Sequence, residues 1–285
     1  MVLLATVMWS SNGLFAKAKI FDSWQVDSRG MCLAFYRALF AGLFLLPFVR
    51  TPRWRPSLSV LLLSFPIMSM TFLTSMTLTT AANAIWLQAT SPLWVFLLGT
   101  LIFHYPIVRH DLFSVSCGLL GAAVIVGCEL TWGAERPGEI WGIICGLISG
   151  ITFGLIVLTM RHLRDENPAF LVALSHLAAA LVLLPFVLRF GVWPTVEQWV
   201  TLVCFGVFQM GLPYLLFVTG LKHIASQEAA GLSMLEPILA PCWVLLVWGE
   251  WPRSWTMAGA CLILIGLLIR YAASFREAKA QPEKN

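Results

Sequence analysis

Apolar runs dominate this chain, and polar positions only punctuate it. Ten segments of helix length can be read, at approximately 2–20, 31–50, 57–79, 82–104, 110–129, 138–160, 168–189, 196–220, 225–248 and 254–273. Each is close to the ~20 residues that cross a hydrocarbon core. The joints are short and hold the helix breakers, as in Thr51-Pro52-Arg53-Trp54-Arg55-Pro56 and Asp165-Glu166-Asn167-Pro168. The pattern predicts an all-α membrane protein with ten transmembrane helices.

The pattern also repeats. Leu45-Leu46-Pro47-Phe48-Val49 returns letter for letter as Leu183-Leu184-Pro185-Phe186-Val187, nearly half a chain later. Ser91-Pro92 is echoed by Glu236-Pro237. Five segments per half reverse the orientation of the second copy. The expected organisation is therefore two inverted five-helix repeats, over 1–130 and 137–274, followed by a polar, disordered cytoplasmic tail at 275–285. Inverted repeats build sites that open alternately to either side of a membrane. Transport is the function class this predicts.

Composition agrees: 59% of residues are hydrophobic and 11% charged, against about 25% charged in soluble domains. A soluble chain of 285 residues could not bury that much apolar surface in one or two cores. The net charge of +4 is spread singly through short joints, so no nucleic-acid footprint is present. The seven cysteines lie within apolar segments and lack CxxC spacing, which reads as packing rather than metal or redox chemistry. No metal and no cofactor are expected.

Basic residues set the orientation. With a cytoplasmic N-terminus, Arg50, Arg53, Arg55, Arg109, Arg161, Arg164, Lys222, Arg270, Arg276, Lys279 and Lys284 face inward. They outnumber Lys17, Lys19, Arg29, Arg136, Arg189 and Arg253 outside. Both termini are thus expected in the cytoplasm. The first segment lacks a charged leader and pairs with the sixth in the repeat, so it reads as a retained span rather than a signal sequence.

Chemistry concentrates at few positions. Glu236 falls at mid-bilayer, where a carboxylate facing lipid costs several kcal/mol. It must face a cavity or a partner, as a substrate or proton site or as a packing acid. Pro92 and Pro237 release the carbonyls of Gln88 and Ser233, which line a cation site or merely kink the helices. Trp94 lies three residues after Ser91 and offers an aromatic wall beside a hydroxyl, or simple packing. Trp86 reads as interfacial belt or gate. The first segment is interrupted around Asn12, and its counterpart carries Gly150 and Thr152. Gly142, Gly146, Gly150 and Gly154 form a ridge for close helix approach. Gln209, Tyr214 and Thr74 are weaker cavity candidates. Arg37, about two turns into its segment, is expected to snorkel outward, and His176 to be a packing histidine. The chain lacks a GxxxxGK[ST] loop, HExxH, GxSxG and a potassium-filter sequence. Nucleotide hydrolysis by that loop, those hydrolase chemistries and such a channel find no support.

Two stretches carry a family resemblance. Glu236-Pro237-Ile238-Leu239-Ala240 through Trp248-Gly249-Glu250-Trp251, then Gly259 to Gly266, resembles the closing signature of the EamA family of the drug/metabolite transporter superfamily. Leu215 to Leu221 with Ala225 to Leu232 resembles its eighth-to-ninth helix passage. The first half is a weaker copy, with His104-Tyr105 where the second half has Gly249-Glu250. The resemblance implies a central cavity lined by helices 1, 3, 4, 6, 8 and 9, which would receive Asn12, Thr74, Ser91, Trp94, Thr152, Gln209, Ser233 and Glu236; the reading of the residues themselves adds Gln88 to the binding set and Trp86, Pro92, Pro237 and Gly150 as gates or hinges. Within the family, the Ser-Pro-Leu-Trp stretch and the aromatic richness most resemble the YddG-type aromatic amino-acid exporters. The expected protein is a bacterial inner-membrane exporter of amino acids or related metabolites, without enzymatic activity. Its partners would be a small-molecule substrate and the lipid bilayer. Drug export, or a membrane enzyme or assembly factor without flux, are the alternatives.

Overall fold

The computed structural model describes residues 1–50, 52–103, 109–133, 138–221, 223 and 231–280, with the backbone alone at 102–103, 109–111, 274 and 276–280. His104-Tyr105, the 134–137 joint, Lys222, residues 225–230 and the last residues of the tail lie outside these. Every described element is helical. A short apolar helix, α1 (Val2–Ala16), precedes nine helices long and apolar enough to span: α2 (Val26–Phe48), α3 (Ser57–Leu78), α4 (Ala81–Leu101), α5 (Leu112–Gly133), α6 (Glu139–His162), α7 (Pro168–Phe190), α8 (Val196–Gly220), α9 (Gly231–Trp248) and α10 (Ser254–Ala273). The ten expected segments are all present. The helix of α10 continues to Ala280, past the point at which the polar tail was expected to leave the helix.

Local chemistry sets the boundaries. Asn167 caps α7 by accepting from the Phe170 N–H at 2.9 Å, with Pro168 at the position where a missing N–H costs nothing. Thr195 and Gln198 form a reciprocal capping box at the start of α8. Gln198 also donates to the Ile20 carbonyl at 2.7 Å and accepts from Trp24 Nε1 at 3.1 Å. One cap thereby fastens α8 to the joint after α1.

Joints contact only joints at their own end of the bundle in the contacts described. Lys17 meets Thr79 and Glu250, and Glu129 meets Arg253. At the opposite end Arg55 pairs with Glu166 at 2.6 Å. This is the alternation that ten successive crossings produce.

Packing follows the glycine ridge. A Cβ added at Gly142 would lie 3.0 Å from Leu78, at Gly146 2.9 Å from Leu87, at Gly150 2.7 Å from the Leu87 carbonyl and at Gly154 2.8 Å from Trp94. The whole ridge of α6 therefore presses on the end of α3 and along α4, as the packing reading required. α6 runs unbroken through Gly150 and Thr152, so it does not reproduce the interruption of the first helix. Gly150→Val should cost about 1–3 kcal/mol through overpacking and lower the unfolding temperature in detergent. Gly127→Ala, with nothing within 4 Å of the added atom, should leave it unchanged.

Candidate functional site

The interior site is organised by breaks in helices. α1 breaks at Ser11, between Val2–Ser10 and Asn12–Ala16. α4 breaks at Ala89-Thr90, between Ala81–Gln88 and Ser91–Phe103. α9 turns at Met234-Leu235 and resumes as Glu236–Trp248. The last two breaks immediately precede Ser91-Pro92 and Glu236-Pro237, because proline cannot donate to the carbonyl four residues earlier and clashes with it. α8 carries a further irregularity, a π turn at Val207–Gly211. Pro213 accounts for it by denying the Gln209 carbonyl its N–H. That proline was the signal available in the sequence, and it went unused.

Side chains tie these breaks together. The Thr90 hydroxyl donates to the Leu87 carbonyl at 2.6 Å. Gln209 Nε2 donates to the Trp9 carbonyl at 3.0 Å, joining the π turn of α8 to the break in α1. Trp243 Nε1 donates to Ser10 Oγ at 2.9 Å, joining α9 to the same break.

The expected site residues divide into two groups. Gln88, Trp94, Ser233 and Glu236 are half-buried at or beside the breaks of α4 and α9. Gln88 Nε2 donates to the Met68 sulfur at 3.4 Å and Trp94 Nε1 to Thr90 Oγ1 at 3.2 Å. Asn12 and Gln209 are buried, each with a side-chain oxygen that has no partner. The others are less engaged. Thr152 spends its hydroxyl on the Ile148 carbonyl at 2.7 Å, Thr74 packs on Gly30, and Tyr214 donates to the Pro168 carbonyl at 3.2 Å. Ser91 is buried. Trp86 is buried in a packing cluster with Leu87, Ile125 and Ile143, so it lies neither in an interfacial belt nor on the accessible interior.

Arg37 departs from expectation. α2 starts at Val26 rather than 31, which moves Arg37 about 16 Å into the helix at 1.5 Å per residue, near the middle of a ~30 Å core. It does not snorkel. The side chain is only 2% exposed, its Nη2 donates to Ser69 Oγ at 3.0 Å, and it lies 5.4 Å over the Phe205 ring. Its Nε has no partner. Across the interior, its charge acts on that of Glu236, yet the two make no direct ion pair among the described contacts. His176 lies near enough to feel the Arg37 charge and packs on Phe65 with ring centroids 4.6 Å apart. Its Nδ1 is 2.9 Å from the Val172 carbonyl. A carbonyl only accepts, so Nδ1 carries the proton and Nε2 of the neutral ring is an acceptor.

The two ends of this interior differ. At one, Lys17 Nζ reaches Glu250 at 2.9 Å and the Thr79 carbonyl at 2.6 Å, while Glu250 accepts from the Ala81 N–H at 2.6 Å. Trp248 Nε1 donates to the Leu14 carbonyl at 3.1 Å. These contacts latch α1, the α3–α4 joint and α9. Beside them, Arg253 bridges Glu129 and Glu139, which are 2% and 1% exposed. Asn83 donates to Glu129 at 2.7 Å. Along α4, Ala81–Leu87 is buried on every face at this end, whereas residues 94–98 beyond the break are half-buried. Residues 231–237 of α9 are half-buried in the same way. The Lys17 end is thus held by matched charges and close packing, and the breaks lie beyond it.

Comparison with known proteins agrees with this architecture. A family model described as the EamA-like transporter family matches residues 1–127 and again 140–271. An uncharacterized transporter of Archaeoglobus fulgidus is 25% identical over 275 residues, covering 95% of this chain and 94% of its own. The Bacillus subtilis uncharacterized transporter YxxF is 24% identical over 283 residues, covering 94% of this chain and 87% of its own. A crystal structure 17% identical in sequence aligns with a TM-score of 0.65 over 96% of both chains, which shows a shared fold. A family match over both halves of the chain identifies this multi-pass membrane protein as a member of the EamA-like transporter family.

Proposed function

We propose that this transporter exports amino acids, aromatic and apolar ones among them, across a bacterial inner membrane by alternating access. Glu236 carries the reading. It stands half-buried at a helix break near mid-membrane, and no hydrogen bond or ion pair to it is among the described contacts. An uncompensated carboxylate at that depth is retained against a cost of several kcal/mol, and an ammonium group is its natural complement. Trp94, half-buried beyond the break in α4, supplies a wall for an apolar side chain.

With the termini in the cytoplasm, the latched Lys17 end faces outward. In this reading the latch must part for release. Counterflow of radiolabelled amino acids into proteoliposomes tests the substrate class, and uptake of several of them is the expected result. Glu236→Gln should lower that exchange at least roughly tenfold, the scale of a charge-assisted hydrogen bond. Unchanged flux would remove Glu236 from the mechanism, and silence across the panel would move the reading to other metabolites or drugs.

The latch gives a separate prediction. Glu250→Gln gives up about 1.5–3 kcal/mol of charged hydrogen bonding. It should raise thiol labelling of a cysteine at Ser233 from the Lys17 side by roughly ten- to hundredfold, in a background without native cysteines. Equal labelling rates would show that this ion pair does not hold the closed form.

A further inference from the structure

We infer that Arg37 recognises the carboxylate of the substrate, so that Arg37 and Glu236 together select molecules bearing both an ammonium and a carboxylate. This rests on the amino-acid reading of the same site and adds the half of the ligand that Glu236 does not address.

The argument begins with what Arg37 lacks. A buried guanidinium ordinarily has a carboxylate partner, because desolvating an unpaired charge is costly. Arg37 has Ser69 and the face of Phe205 for company, and neither carries charge. Its Nε is buried without a partner. The titratable neighbours facing it are His176 from α7, with a ring nitrogen committed to a carbonyl, and Glu236 from α9, which acts on it without direct pairing. The planar fork of Nε and Nη is the geometry that takes a carboxylate in two parallel bonds. Its burial near mid-membrane places that contact where charge-assisted bonds are least weakened by water.

Other orphaned groups have the opposite polarity. Gln209 Nε2 is committed to the Trp9 carbonyl, which fixes Oε1 as an acceptor, and that oxygen has no partner. The Asn12 Oδ1 is likewise unpartnered. Glu236 is the acceptor for the ammonium, which leaves the donor role to Arg37. Phe15, on the short helix that starts at Asn12, stacks on Phe205 at 5.1 Å. Arg37 lies over that same Phe205 ring, which brings α1, α2 and α8 to one place.

The experiment compares phenylalanine with phenethylamine, which keeps the ring and the ammonium but has no carboxylate, in exchange by proteoliposomes. Wild type should favour phenylalanine at least roughly tenfold, the scale of a charge-assisted bond. Arg37→Gln should lower phenylalanine exchange by that factor and leave phenethylamine unchanged, with Arg37→Lys intermediate. Equal loss of both, or an undiminished preference, overturns the assignment of Arg37 while leaving amino-acid transport standing. Absence of exchange for every amino acid in wild type overturns the amino-acid reading itself, and this inference with it. Should the variants not fold, competition in wild type decides. Phenylalanine amide, which has no carboxylate, should inhibit phenylalanine exchange at least roughly tenfold more weakly than phenylalanine; equal inhibition overturns the inference.

Discussion

Hydrocarbon offers no hydrogen bonds, so any backbone group freed inside the membrane must find a partner within the protein or face water. That constraint governs the architecture of this chain. Prolines at 92, 213 and 237 free carbonyls at depth, and a non-proline break at Ser11 interrupts α1. None of these irregularities could tolerate lipid. Side chains compensate locally: Gln209 in the π turn of α8 bonds the Trp9 carbonyl beside the α1 break, Trp243 of α9 bonds Ser10, and Thr90 bonds the Leu87 carbonyl within its own break. The candidate site residues lie at or beside these breaks.

Charge is handled differently in the middle and at the latched end. Near the Lys17 end the buried charges are matched: Lys17 with Glu250, and Arg253 between Glu129 and Glu139. Desolvation there is offset by opposite charge and by added donors such as Asn83 and Trp255. In the middle, Arg37 and Glu236 sense each other without contact. The same chain that pairs ions carefully at one end leaves two unpaired where pairing would matter most. A structural role alone favours closing that gap, whereas a ligand with both charges requires it to stay open.

Much of this was legible in the sequence. Segment count, the breaks before Pro92 and Pro237, the interruption near Asn12 and the glycine ridge follow from apolar length and backbone chemistry, which are local properties. Arg37 was misjudged because Asp27, Ser28 and Arg29 look like a polar joint. In the structure Asp27 lies in the first helical turn, where an acid suits the helix dipole, and Arg29 pairs with Asp22 at 3.0 Å. Those residues therefore extend α2, and the arginine moves to mid-depth. The Lys17–Glu250 latch and the Arg253 cluster were invisible for another reason. Their members are far apart in sequence, and only the alternation of crossings brings them to one end. Trp86 shows the reverse error, since an aromatic near a helix end is interfacial only when its neighbours leave it exposed.

The two halves echo each other in sequence, yet the residues at the centre differ between them. Glu236-Pro237 stands where the first half has Ser91-Pro92, and His176 lies close to the position that mirrors Arg37. One half thus contributes a cation from α2 and the other an anion from α9. The breaks before Pro92 and Pro237 are shared by both halves. The unshared residues supply polarity. A perfectly duplicated site would present two like charges, which repel and suit no zwitterion. Divergence at these two positions gives the interior one positive and one negative pole, the polarity that the proposed zwitterionic ligand needs.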